Sequence, residues 1–209
     1  SIAFDVSERF LETRRFVLVA GHEIGGGGLV LEALQDRQSW AREKVSLRNT
    51  KWQKSLIPAE ERKRRYGHAP IAIIVTGPRE SHRKEVAKAL EASFFSQGRF
   101  AYLLGIGSLL YGVDADIRSE SQNHFEDIRR LAEVSHILLD AGMILILSAA
   151  ELTQEDLEII HTGVGREQVV TVWVGPGEDT DIKPQLRFQD ESIERIVTFI
   201  QSWLLEKVL

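Results

Sequence analysis

The chain has no cysteine, one methionine and five prolines in 209 residues. Without cysteine there is no disulfide, no zinc–thiolate centre and no thiol nucleophile, and the composition fits a cytoplasmic protein. Long apolar runs are missing too. The longest, around Met143 to Leu147, is far too short to span a bilayer, so no membrane segment is expected, and no signal peptide is visible. A large excess of either charge is also absent. The net charge of −5 argues against a general nucleic-acid or membrane-surface binder. The one basic run, Arg62-Lys63-Arg64-Arg65, follows Glu60 and Glu61 and reads as a solvated helix face. The six histidines show no i,i+4 pair and have no cysteine partners, so a metal site is not expected.

What remains is an ordinary globular composition, 43% hydrophobic and 27% charged, sized for one α/β domain and an appendage. Up to about Leu34 the pattern is β. Phe16 to Ala20 reads as a strand, Ile24 to Gly28 as a glycine turn, and Leu29 to Leu34 as a second strand or helix start. Two strands are not a stable unit by themselves, so this looks like the end of a larger β-domain. Residues 35–69 are polar and read as a linker, with one short helix begun by Pro58-Ala59-Glu60-Glu61. From Ile71 onward strands and helices alternate. Strands are expected at Ile71–Val75, Phe100–Leu104, Met143–Ser148 and Val169–Val174. Helices are expected near 84–97, 119–140, 153–162 and 191–208. Alternation of this kind implies a parallel sheet with helices on both faces. Ligands bind such sheets at the carboxyl ends of the strands, which places 76–84, 105–108 and 148–151 on one rim.

Ile71 to Val75 runs into Thr76-Gly77-Pro78-Arg79-Glu80-Ser81-His82-Arg83-Lys84 and then an amphipathic helix. This is the strand–turn–helix setting of a phosphate-binding P-loop, G-x-x-x-x-G-K-S/T. Gly77 supplies the first glycine. His82 stands at the second, Arg83 at the lysine and Lys84 at the hydroxyl residue. Gly77, Arg83 and Lys84 are therefore the candidate phosphate-binding residues of an altered loop.

Glu126-Asp127-Ile128-Arg129-Arg130-Leu131-Ala132-Glu133-Val134, followed by Asp140-Ala141-Gly142-Met143-Ile144, closely resembles the N-I-R-R-V-A-E-V and D-A-G-L-I signature of adenylylsulfate kinases. Those enzymes move the γ-phosphoryl of ATP to the 3′-hydroxyl of adenylylsulfate. Ile2 to Asp5, Arg15 to Val19 and Ile24 to Gly28 resemble the last strands of the elongation-factor-like barrel of the sulfate adenylyltransferase GTPase subunit. Asn49 to Trp52 and Arg64 to His68 resemble the linker ahead of a fused kinase. The resemblance implies an α/β, P-loop-kinase-like three-layer parallel sheet preceded by a short β fragment of that barrel. It implies residues 1–34 as the barrel remnant, 35–69 as linker and 70–209 as the kinase-like domain. Its partners would be the sulfate adenylyltransferase subunits, with the GTPase region in the same polypeptide, and a second copy of the chain; Phe94, Phe95 and Phe100 read as core or as part of that dimer interface.

The departures from the family pattern gather at the site. Where the family has L-D-G-D-N-x-R-H, this chain has Leu104-Gly105-Ile106-Gly107-Ser108-Leu109-Leu110-Tyr111, so both acids and the arginine are gone. His124 falls on a further family arginine, and Ser148-Ala149-Ala150-Glu151 replaces F-I-S-P. The basic lid after Gly175-Pro176-Gly177 is missing. These changes imply a catalytically degenerate domain with no catalytic residue to assign and no resident cofactor, serving a structural or regulatory end. An active kinase using Arg83, Lys84 and Asp114 with ATP and Mg²⁺ is one alternative. A module that binds nucleotide or adenylylsulfate without chemistry is another. Arg129 and Arg130 match family arginines near adenylylsulfate, and they are equally spaced to pair with Glu126 and Glu133 along a helix. Asp114 and Asp116 read as a polar turn or as stand-ins for the lost acids.

Overall fold

The structure is a computed structural model that describes residues 15–29, 38–108, 124–176 and 180–207. These fall into two compact units divided between Ser39 and Trp40. Much of the barrel-like sequence, at 1–14 and 30–37, and the acids Asp114 and Asp116 lie outside the described residues.

In the first unit β1 (Arg15–Ala20) pairs antiparallel with β2 (Glu23–Leu29), with a register shift between Leu18 and Val19. The glycine run expected to turn the chain lies instead inside β2, and the turn falls at Gly21-His22. The ring of Phe16 lies across β2 so closely that a Cβ on Gly28 would sit 2.7 Å from its Cζ.

The second unit opens with α1 (Ser39–Lys51) and α2 (Ala59–Tyr66), where the sequence suggests a linker with one helix. A five-stranded sheet follows, built from β3 (Ile71–Thr76), β4 (Ala101–Gly105), β5 (Ile144–Ser148), β6 (Val169–Val174) and β7 (Leu186–Phe188). The strand order is β4-β5-β3-β6-β7 and every pairing is parallel. The helices between and after the strands are α3 (Arg83–Ser96), a single turn α4 (Ile106–Ser108), α5 (His124–Asp140), α6 (Gln154–Val164) and α7 (Ile193–Lys207).

β3 is the centre, and all six of its residues are buried. Side chains alternate across a strand. Ile71, Ile73 and Val75 meet α3 and α7 through Val86, Leu90, Ile200 and Leu204. Ala72 and Ile74 meet α5 and α6 through Ile128, Leu131, Leu157 and Ile160. The result is the expected three-layer α/β fold, with its strand ends gathered on one rim.

α1 has no apolar stripe, and its only buried residue is Ala41. Polar and ring contacts dock it. Arg48 Nη1 donates to Glu133 Oε2 and to the carbonyl of Gly163, both at 2.9 Å, so one guanidinium ties α1 to α5 and α6. Trp52 meets His136 edge-on with ring centres 4.8 Å apart. Phe94 is buried, and Phe95 and Phe100 are exposed, the Phe100 ring lying 5.1 Å from that of Tyr66. Replacing Arg48 with Ala removes hydrogen bonds to a carboxylate and a carbonyl, and should cost about 1–3 kcal/mol in chemical denaturation.

Candidate functional site

β3 delivers the chain to the rim at Gly77, whose φ is 154°. A Cβ there would lie 2.1 Å from the carbonyl oxygen of Val174 on β6, so only glycine fits. A phosphate-binding loop turns successive backbone N–H groups inward, and that needs residues of left-handed φ among right-handed ones. Among the described residues Glu151 alone of the non-glycines has positive φ, so Pro78 to His82 supply none. The Pro78 carbonyl accepts from Ser81 N (3.1 Å), Ser81 Oγ (2.7 Å) and Arg83 Nη1 (3.1 Å). The Arg79 carbonyl accepts from the same Arg83 Nη1 at 2.8 Å. Arg83 is only 6% exposed. The loop is thus closed around a cation of its own chain.

Beside it opens a cavity of about 800 Å³ between the start of α3 and the ends of β4 and β5. Arg79, Arg83, Lys84 and Lys88 line it, against one carboxylate, Glu151. Glu151 is engaged: Arg79 Nε donates to it at 2.8 Å, and its own N–H donates to the Gly77 carbonyl at 3.0 Å. Gly105, Gly107 and Ser148 complete the rim foreseen from the strand ends. Lys88 was not singled out from sequence, although its place four residues after Lys84 puts both on one helix face. Arg83 Nε, Ser148 Oγ and Thr76 Oγ1 are buried without a hydrogen-bond partner. No group of three acids or histidines among the described residues is placed to hold a metal ion.

Arg129 and Arg130 do not line this cavity. Arg129 forms a two-pronged pair with Glu126, Nε to Oε2 at 2.8 Å and Nη2 to Oε1 at 2.7 Å. It also lies 3.6 Å from Glu133. Arg130 Nε donates to Glu126 Oε1 at 3.1 Å, and Lys44 of α1 lies 3.6 Å from the same carboxylate. The hydrogen bonds from Arg129, and then those from Arg130, hold the Glu126 carboxyl down to about 2, against the cost of its partial burial. His124 Nε2 lies 2.7 Å from Oδ1 of Asp156, which is fully buried. Asp156 Oδ2 accepts from Thr153 N at 3.0 Å in the capping box that starts α6.

The model of the adenylylsulphate kinase family matches residues 69–182. The chain belongs to this family. The adenylyl-sulfate kinase of Clostridium kluyveri is 28% identical over 125 residues, 60% of this chain and 63% of that one. The enzyme of an Enterobacter strain is 26% identical over 126 residues, with the same coverage of 60% and 63%. The chain thus spans under two thirds of the length of these curated relatives. The APS kinase of Mycobacterium tuberculosis solved with AMPPNP and APS superposes with a TM-score of 0.56 at 21% identity, covering 66% of this chain and 99% of that one. A hexameric APS kinase from Thiobacillus denitrificans gives 0.56 at 18% identity and covers 87% of this chain and 38% of its own. At these identities the likeness establishes the fold. No described helix is long and apolar enough to cross a membrane.

The Glu126 cluster has a pH signature. Its carboxyl lies below the ordinary value of about 4.3, so its stabilisation is full above that pH and is lost as pH falls toward about 2. Glu126→Gln should lower stability by about 1–2 kcal/mol at pH 7 once solvent screening is allowed for. In urea titrations the gap to the parent protein should shrink through pH 4 and close near pH 2.

Proposed function

We propose that this chain is an adenylylsulfate-kinase-like domain of a sulfate-activation protein that transfers no phosphoryl group and has a structural or regulatory role. The supporting observation is the Arg83 guanidinium held on the carbonyls of Pro78 and Arg79. Phosphoryl transfer relies on positioning and on charge stabilisation by backbone N–H groups, a lysine and Mg²⁺. The residues present do not fit magnesium ATP. The carbonyls of Pro78 and Arg79 accept from Arg83 Nη1. Lys84 stands where a hydroxyl would ligate the metal, and Gly105 and Gly107 stand at the family's acidic positions. The short run from Val174 to Leu186 leaves little chain for a basic lid.

In this reading residues 70–209 are the kinase-like domain and 1–34 the end of an elongation-factor-like barrel. Residues 35–69 join them, with α1 docked on α5 and α6. The domain would sit in one polypeptide with a sulfate adenylyltransferase GTPase region, in a cytoplasmic and self-associating assembly. The four cations around the cavity support a second reading, in which the site retains a nucleotide or adenylylsulfate without reacting it.

The test is turnover. The full chain with ATP, Mg²⁺ and adenylylsulfate should form no 3′-phosphoadenylylsulfate above a protein-free control. Formation that scales with protein concentration would overturn the proposal.

A further inference from the structure

The two ends of α1 are seated by different forces. Ala41, Val45, Arg48 and Trp52 recur at helical spacing and face the domain, and the residues between them are exposed. The amino-terminal end is held by apolar packing. Ala41 is buried, and Trp40 packs against the core cluster of α5 and α6. The carboxyl-terminal half is held by polar and ring contacts. Arg48 Nη1 reaches Glu133 of α5 and the Gly163 carbonyl of α6, both at 2.9 Å. Trp52 meets the His136 ring edge-on, with ring centres 4.8 Å apart. Beyond Trp52 the chain is exposed from Gln53 to Glu61. The next anchors are Arg62 and Tyr66, packed over Gly142. The stretch from Val45 to Glu61 therefore buries little apolar surface, and a segment of that kind opens locally at low free energy.

We propose that the stretch from Val45 to Glu61 is an acid-released strap: protonation of His136 unseats Arg48 and Trp52 while Trp40, Ala41 and the sheet stay in place. The groups that act on His136 are Arg48 from α1, the Trp52 ring beside it, and Glu133 and Asp140 from its own helix. Burial, and then the charge of Arg48, hold the imidazole below its ordinary value of 6.5, while Glu133 and Asp140 act the other way. Docking brings both Arg48 and the Trp52 ring, so docked His136 takes up a proton less readily than His136 with the helix lifted away. By linkage, proton uptake then favours release. The strap is fully seated above pH 6.5 and loses its hold as pH falls below that value. Once Arg48 has left, the imidazolium gains Glu133 and Asp140 as counter-charges, and Glu133 is free to tighten on Arg129, 3.6 Å away. α1 is the first element of the second unit, so its release also frees the connection to the first. The inference goes beyond the function proposed above and holds whether or not the domain transfers a phosphoryl group.

The experiment is amide hydrogen exchange of the full chain at about pH 7.5 and about pH 5.5, read by mass spectrometry and corrected for the intrinsic effect of pH. Peptides from the carboxyl-terminal half of α1 should lose about tenfold in protection at the lower pH, while those of α5 and β3 keep theirs. Arg48→Met keeps an apolar stem and should show the loss already at the higher pH. His136→Phe keeps a ring for Trp52 and cannot take up a proton, so α1 should stay protected at both pH values. Should that variant fold poorly by circular dichroism, the NMR titration of the His136 ring gives an independent reading, since its midpoint should rise in Arg48→Met. The proposal is overturned by α1 protection that is the same at both pH values, by a pH response that persists in His136→Phe, by an unshifted midpoint, or by α1 and β3 losing protection together.

Discussion

The contact between the Arg83 guanidinium and the carbonyls of Pro78 and Arg79 governs the rim of this domain. Its origin is backbone geometry. Gly77 is forced by the approach of β6, and after it no residue through His82 takes a left-handed conformation. Buried carbonyl oxygens need donors, and Arg83 Nη1 supplies them at Pro78 and Arg79. One guanidinium nitrogen, Nη1, donates to both carbonyls.

The rest of the fold is conservative beside that change. β3 is buried on both faces between α3 and α7 on one side and α5 and α6 on the other, so the sheet depends little on which loops cap its strands. Such a scaffold tolerates extensive rewriting of its rim, because the loops contribute few of the apolar contacts that stabilise it. The three layers surround the central strand, while glycine, serine and exposed lysine stand at the strand ends.

Much of this was legible in the sequence. Ile71–Val75 and Met143–Ser148 are unbroken apolar runs, as strands buried on both faces must be. Ile128, Leu131, Val134 and Leu138 mark α5 by helical spacing. The rim followed from these two periods. The missed elements lack such signals. α1 is held by Arg48 and Trp40 and has no apolar stripe, β7 is three residues long, and β2 is a glycine tract with the Phe16 ring close against Gly28. The site was half legible. The residue types at 77, 82, 83 and 84 announce an altered loop. That Arg83 turns onto the loop's own carbonyls depends on φ angles that side-chain identity does not encode. Lys88 lies beyond the motif, and a lone lysine on a helix face carries no signal of its own.

Glu126 is one carboxylate shared by three cations. Arg129 and Arg130 lie on its own helix, and Lys44 comes from the helix that precedes the sheet. Such sharing makes the seating of α1 and the freedom of the two guanidiniums parts of a single balance. Whatever draws charge from Glu126 at one end loosens its hold at the other, and the exchange runs equally in both directions. The segment ahead of the first sheet strand is thereby an electrostatic counterweight to α5 as well as a tether.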